Sequence, residues 1–286
     1  MIFGLVAALG WGLADFLGAL ASRRLGSLPA VVVGQVLSAV VITVILVGSG
    51  YDLSGLSGLW WIVAINGVVA MLAYAAHYHA LELGPVSVVS PIGASYAVVG
   101  VLLAIVLLGE RPSSLALLGM ATTVVGTVLV STDIRALRAG LREHPPGLWW
   151  AVTSAILFGV AGFTLGTLSR DTGVWQVAMF ASRGAMIVAF VPLVAARRHE
   201  FSRSRLAMRA GIALALAAGA ADILGVASFS AGTTAGYLSI VLAASAVFPL
   251  VAVALSHYVL GERLVLNQYV GVAGVVGGLL LLGLGA

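Results

Sequence analysis

Apolar residues run along this chain in long unbroken stretches, each closed by a short polar connection. A helix needs roughly 20 mainly apolar residues to cross the hydrocarbon of a bilayer. The chain divides into such segments almost without remainder: residues 2–21, 29–49, 59–82, 84–108, 114–132, 148–168, 175–196, 210–232, 235–259 and 266–285. Barrel strands would instead alternate over roughly ten residues at a time. The pattern predicts an all-α membrane protein of ten transmembrane helices.

The longest polar stretch, Asp133 to Gly147 with Pro145 and Pro146, falls in the middle. It divides the chain into a first five-helix unit over 1–132, a linker over 133–147 and a second five-helix unit over 148–286. Sliding the chain against itself supports that division. Gly84 to Arg111 aligns without a gap on Gly236 to Arg263, which places Leu108-Gly109-Glu110-Arg111 over Leu260-Gly261-Glu262-Arg263. Gly119 then falls on Gly271 and Gly126 on Gly278. A slightly shorter offset lays Gly12, Ala14, Phe16, Ser22 and Arg23 on Gly159, Ala161, Phe163, Ser169 and Arg170. Five spans per unit is an odd number, so the second unit enters the membrane from the opposite side. Inverted repeats of this kind belong to secondary transporters, with the substrate near the midplane between the halves.

Composition narrows the functional classes. The 286 residues are 61% hydrophobic and 8% charged, against about 25% charged in an ordinary soluble domain. The net charge of +4 does not signal nucleic acid, because the basic residues lie in short connections and not in one patch with aromatic residues for base stacking. Cysteine is absent, which excludes disulfides, thiolate catalysis and Cys-ligated metal. No cofactor is called for. The apolar start lacks the basic leading region of a signal peptide, so the first segment is expected to remain as a helix. Connections after the first, fifth, seventh and ninth segments carry Arg23, Arg24, Arg135, Arg138, Arg142, Arg197, Arg198, Arg203, Arg205, Arg209 and Arg263; the other face carries Arg111 and Arg170. The positive-inside rule puts the Arg-rich face in the cytoplasm and both termini outside.

These features together resemble the drug/metabolite transporter superfamily, of the ten-helix EamA type. The resemblance covers essentially the whole chain. It rests on the duplicated five-helix unit, on Pro91, on the Leu-Gly-Glu-Arg endings of the fourth and ninth segments, on the Gly-spaced fifth and tenth segments, and on Ala80-Leu81 before Gly84-Pro85. It implies a multi-pass protein of the inner (plasma) membrane that moves amino acids, nucleobases, sugars, other metabolites or drugs, often outward and often against a proton. It also implies termini in the cytoplasm, opposite to the Arg count, and the Arg count is kept here.

Ionisable groups inside the hydrocarbon cost on the order of 2.5–3.5 kcal/mol each on insertion scales and are functional candidates by default. Asp15 lies in the first segment one helical turn after Trp11, among Gly12, Gly18 and Ala19, and suits a cation or proton. The stretch Ala14-Asp15-Phe16-Leu17-Gly18 is similar to the first helix of the small multidrug resistance proteins, which implies proton exchange at Asp15; Gly162 occupies the corresponding place in the second half. Arg183 lies deep in the seventh segment, and its planar fork suits a carboxylate, either of a substrate or of Asp222 or Asp15. Asp222 lies near the middle of the eighth segment, and an internal Arg183–Asp222 pair is the structural alternative.

In the third segment Tyr74 and Tyr78 share a stripe with His77 beside them, while His79 points toward Glu82. The stripe suits the lining of a cavity for a ring-containing solute, and His77 suits a proton relay. For His79 and Glu82, an interfacial position is the simpler account. Tyr96 and His257 are weaker candidates. A metal at His77, His79 and Glu82 would need a distorted helix, because those positions point in different directions. Glu110, Arg111, Glu262 and Arg263 recur at equivalent helix ends on opposite faces, either as gates or as simple helix terminators. The Gly274 to Gly278 spacing in the last segment suits close helix packing, including that of a homodimer.

The expectation is therefore a proton-coupled transporter, with the proton and a small molecule as partners in a lipid bilayer. Proton-independent exchange or facilitation is the alternative. An intramembrane hydrolase would need a nucleophile within reach of a base, and no recognised motif surrounds Ser95 or His257. A non-transporting subunit is the third class.

Overall fold

The structure is a computed structural model that describes residues 1–84, 86–131, 147–201, 205–251, 254–255 and 265–285. The expected linker, His257, and the Leu260-Gly261-Glu262-Arg263 repeat lie outside the described residues, apart from Gly147. The helices are α1 (Ile2–Leu25), α2 (Ser27–Ser49), α3 (Trp60–Leu83), α4 (Val86–Ala94), α5 (Tyr96–Leu107), α6 (Ser114–Ser131), α7 (Leu148–Thr172), α8 (Trp175–Ala196), α9 (Arg205–Ala235), α10 (Leu238–Ser245) and α11 (Leu266–Gly285). No strand occurs among the described residues. Among the described residues seven helices are long and apolar enough to cross a membrane, and shorter apolar stretches cover Ile92–Leu107, Ser114–Leu129 and Leu238–Val251. With the fourth span made of α4 and α5 and the ninth begun by α10, this is a ten-span bundle. Helices are the form such a chain takes because hydrocarbon offers backbone amides and carbonyls no other partner.

The helices overrun the expected segments where polar residues follow apolar ones. α1 continues through Ser22-Arg23-Arg24 and stops at Gly26, whose φ of 92° favours glycine. α9 begins at Arg205 and reaches Ala235. Hydropathy marks where hydrocarbon ends, whereas helical hydrogen bonding continues through the headgroups. The fourth span departs in a second way: it is two helices, interrupted by a turn at Ser95. The ninth is interrupted at residues 246–248. These breaks are equivalent under the 152-residue offset that lays Gly84 on Gly236.

Packing follows the inverted repeat. α1 lies against α9 and the equivalent α7 against α3. Small residues make those approaches close, as expected where lipid removes the hydrophobic drive between helices. A methyl on Gly10 would come within 2.5 Å of the Gly225 amide nitrogen. Gly12 faces the Phe248 carbonyl at 2.5 Å from where its Cβ would be, and the equivalent Gly159 faces the Tyr96 carbonyl at 2.8 Å. The bulky apolar side chains point the other way: Val44, Leu102, Val106, Leu266 and Leu284 are exposed, as lipid-facing positions are. Exposed Trp60 and Trp61 at one end of α3, and Trp149 and Trp150 at the start of α7, fit interfacial belts.

The glycines of α11 have an intramolecular use. A Cβ on Gly278 would lie 2.5 Å from the Thr123 amide nitrogen, and one on Gly274 would lie 3.2 Å from Gly126 Cα. The Gly274 to Gly278 face thus packs on α6 and is not free to form a dimer. The spacing was legible in the sequence; which helix filled it was not.

Candidate functional site

The centre of the bundle holds a cavity of about 100 Å³, room for several waters or the body of a small solute. Trp11, Asp15, Tyr74, His77, Tyr78, Tyr96, Arg183 and Asp222, residues from five of the ten spans, all line it. Asp15 is the thirteenth residue after the start of α1 and the tenth before its end. At 1.5 Å per residue it lies roughly 20 Å from one end of α1 and 15 Å from the other, near the middle of the helix. The neighbouring breaks in the fourth and ninth spans match the discontinuous helices that build transporter sites.

Asp15 is 8% exposed and His77 4%. His77 Nε2 lies 2.9 Å from Asp15 Oδ1, and the Ser90 hydroxyl donates to Asp15 Oδ2 at 2.6 Å. Ser154 Oγ lies 3.4 Å from His77 Nδ1, while its hydroxyl donates to the Ala151 carbonyl at 2.8 Å. Both imidazole nitrogens therefore meet oxygens able to accept. The cluster joins α1, α3, α4 and α7 around one carboxylate.

Its counterpart in the second repeat is apolar. The shorter offset lays Asp15 on Gly162, and the longer one lays His77 on Phe229 and Ser90 on Leu242. These three are also neighbours: a Cβ on Gly162 would lie 3.3 Å from Leu242 and 3.8 Å from Phe229. The repeat thus conserves a place in space and changes its chemistry from ionisable to hydrocarbon.

A second network lies across the cavity. Arg183 is 3% exposed and Asp222 2%. Arg183 Nη2 donates to Asp222 Oδ2 at 2.8 Å and to the Tyr74 hydroxyl at 3.3 Å, and Nη1 donates to Gln35 Oε1 at 2.5 Å. The Tyr74 hydroxyl donates to Asp222 Oδ1 at 2.7 Å, and Gln35 Nε2 reaches Oδ2 at 3.4 Å. The internal ion pair is thus formed, with Arg183 Nε buried and without a hydrogen-bond partner among the described residues. Below it Asn66 donates to the Ala161 carbonyl at 2.9 Å and to Thr164 Oγ1 at 2.8 Å, and accepts from the Ser182 hydroxyl. That one amide ties α3, α7 and α8 together.

Aromatic faces make up the remaining walls. Trp11 packs against Tyr96 and Phe229 with centroids 6.0 Å and 5.6 Å away, and Phe158 lies edge-on to Tyr74 at 5.0 Å and to His77 at 5.5 Å. Tyr96 also lies beside Phe248 and shares a hydrogen bond with Ser245. Sequence reasoning named Trp11 and Tyr96 but missed Phe158, Phe248 and Phe229. All three were legible, since the repeat offsets lay Phe158 on Trp11, Phe248 on Tyr96 and Phe229 on His77. Gln35 and Asn66, the amides that complete the networks, and Ser90, Ser154 and Ser182 gave no comparable signal.

Outside the cavity, His79 lies 3.4 Å from Glu82, which accepts from the Ser27 amide at 3.2 Å and so caps α2. Ser95 donates to the Ile92 carbonyl of its own turn. Arg111 is exposed, whereas Glu110 is 5% exposed and pairs with Arg170 at 2.7 Å. In the first Leu-Gly-Glu-Arg copy the glutamate therefore pairs with a residue of the other half and not with its own neighbour.

A family model described as the EamA-like transporter family matches residues 1–132 and 145–284. One solved structure, described only as "Crystal structure of protein", superposes with a TM-score of 0.70 at 20% identity, over 99% of this chain and 96% of that one. That likeness bears on the fold alone. A search of the curated proteins finds no match.

Proposed function

The chain belongs to the EamA-like transporter family, and from that premise we propose a secondary transporter of the cytoplasmic membrane that moves a small solute through the central cavity by alternating access, with Asp15 as the site of proton exchange. The observation that carries this is one carboxylate, Asp15, buried near the middle of α1 on the cavity wall and held by His77 and Ser90. A carboxylate on the wall of a solute cavity is placed to exchange a proton when a solute displaces its partner. Asp222, by contrast, is neutralised by Arg183 and held by Tyr74, which supports a structural task for that pair.

The cavity supports a mostly apolar, ring-bearing solute. Trp11, Tyr96, Phe158 and Phe229 offer stacking faces, and the unpartnered Arg183 Nε offers one donor to a solute oxygen. In the cycle proposed, a proton loads at Asp15, solute entering between Trp11, Tyr74, His77 and Tyr78 displaces it, and the two halves rock. Export against the proton gradient is the direction proposed.

The test uses purified protein in liposomes with an internal pH-sensitive dye and an imposed proton gradient, challenged with amino acids, nucleobases and organic cations. Solute-dependent proton movement in wild type, absent in Asp15→Asn, is the expected result. Saturable solute flux without protons, unchanged in Asp15→Asn, would instead make the protein a facilitator or solute exchanger.

A further inference from the structure

The Glu110 carboxylate has more partners than a helix terminator needs. α5 ends in a glycine turn: the Leu108 and Glu110 amides both bond the Ala104 carbonyl, at 3.1 Å and 3.3 Å, across Gly109 with a φ of 65°. Only a residue free of a Cβ adopts that conformation without strain. The turn sends Glu110 back into the protein and not out to the headgroups. There the carboxylate accepts from the Leu238 amide at 2.9 Å through Oε1 and from the Ser239 amide at 3.0 Å through Oε2. These are the first two amides of α10, donors that the helix itself cannot satisfy. Arg170 at the end of α7 completes the set at 2.7 Å.

We infer that Glu110 is a positioning residue: its carboxylate, contributed by the first half, latches the N-terminus of α10 in the second half, and transport requires the latch to open. This rests on the rocking motion proposed above. Glu110 lies on the face opposite to Arg23 and Arg24, so its bonds cross between halves at the edge where one entrance must part. α10 also reaches the cavity, since Ser245 at its last turn bonds Tyr96. A shift at Leu238 is therefore transmitted to the wall of the site.

The two kinds of bond that Glu110 makes are not equal. Leu238 is fully buried, and a buried amide that loses its acceptor has nothing to replace it. Arg170 has 38% of its side chain exposed against 2% for Glu110, so water already solvates the guanidinium and softens the loss of the ion pair, as it cannot at the buried amides. The latch is accordingly the helix cap and not the salt bridge, a distinction that a charge swap can test. Arginine has no acceptor and cannot cap a helix N-terminus.

The absence of cysteine permits spin labels at Ser57→Cys and Thr234→Cys, exposed positions in the two halves on this face. Pulsed distance measurements on reconstituted protein then report closed and open populations without any substrate. Wild type should be mainly closed. Glu110→Ala should lower the closed-to-open ratio about tenfold or more, equivalent to ~1.4 kcal/mol. Glu110→Gln, which retains an acceptor, and Arg170→Ala should each stay within about threefold of wild type. The swap Glu110→Arg with Arg170→Glu should remain as open as Glu110→Ala. Rescue by the swap, or an unchanged distribution in Glu110→Ala, would overturn the inference. If Glu110→Ala does not fold, Glu110→Gln compared with the swap decides the same question. The distances need no solute, so failure of the latch and failure of the transport assignment give separate results.

Discussion

Replacing Arg183 by methionine isolates the energetics of the buried network, because methionine keeps most of the stem and removes the charge. Asp222 would then remain 2% exposed with only the Tyr74 hydroxyl at 2.7 Å and the weaker Gln35 contact at 3.4 Å. Breaking a buried pair by removing one partner costs about 3–5 kcal/mol, because the survivor is an uncompensated charge. Gln35 loses its own guanidinium contact as well, which adds to the cost. In a chain of this size that corresponds to a fall in melting temperature on the order of 10 °C. The double variant Arg183→Met with Asp222→Asn removes both charges, and hydrocarbon-like surroundings make the neutral pair cheaper than the lone carboxylate. It should therefore recover at least half of the loss. Melting in detergent, followed by intrinsic tryptophan fluorescence for wild type, both single variants and the double, gives the full cycle. Losses that simply add in the double variant, or a single Arg183→Met that melts like wild type, would refute the claim that the two charges depend on one another.

Three further outcomes follow from the geometry. Asn66→Ala removes donors to Ala161 and Thr164 and the acceptor for Ser182, and should cost about 1–3 kcal/mol in the same melting assay. Gly278→Val sets a branched side chain where even a Cβ would lie 2.5 Å from Thr123; it should separate α6 from α11, visible as loss of a disulfide cross-link engineered between their facing positions. Tyr96→Phe deletes the bond to Ser245 but keeps the ring against Trp11, so stability should change by about 1 kcal/mol or less while solute KM rises in the liposome assay.

The sequence by itself determined the membrane class, the division into ten spans, the inverted repeat and the short roster of ionisable groups in the spans. Those follow from solvent: hydrocarbon rejects charge and unpaired backbone, so a chain that lives there must show long apolar runs, and any exception stands out in one dimension. Asp15, Arg183 and Asp222 were visible for that reason, and Trp11, Tyr74 and His77 because helical spacing put them beside a charge or on a common stripe. Tertiary structure alone decided who meets whom. It paired His77 with Asp15, gave Arg183 to Asp222, and brought Glu110 to two amides 128 and 129 residues later. It also placed Gly274 and Gly278 on α6, where the sequence allowed a second copy. The physical reason is that a lone charge advertises its need for a partner, while the partner is fixed by helix register and rotation across the bundle, and neutral amides and hydroxyls such as Gln35, Asn66 and Ser90 cost too little in a helix to reveal themselves beforehand.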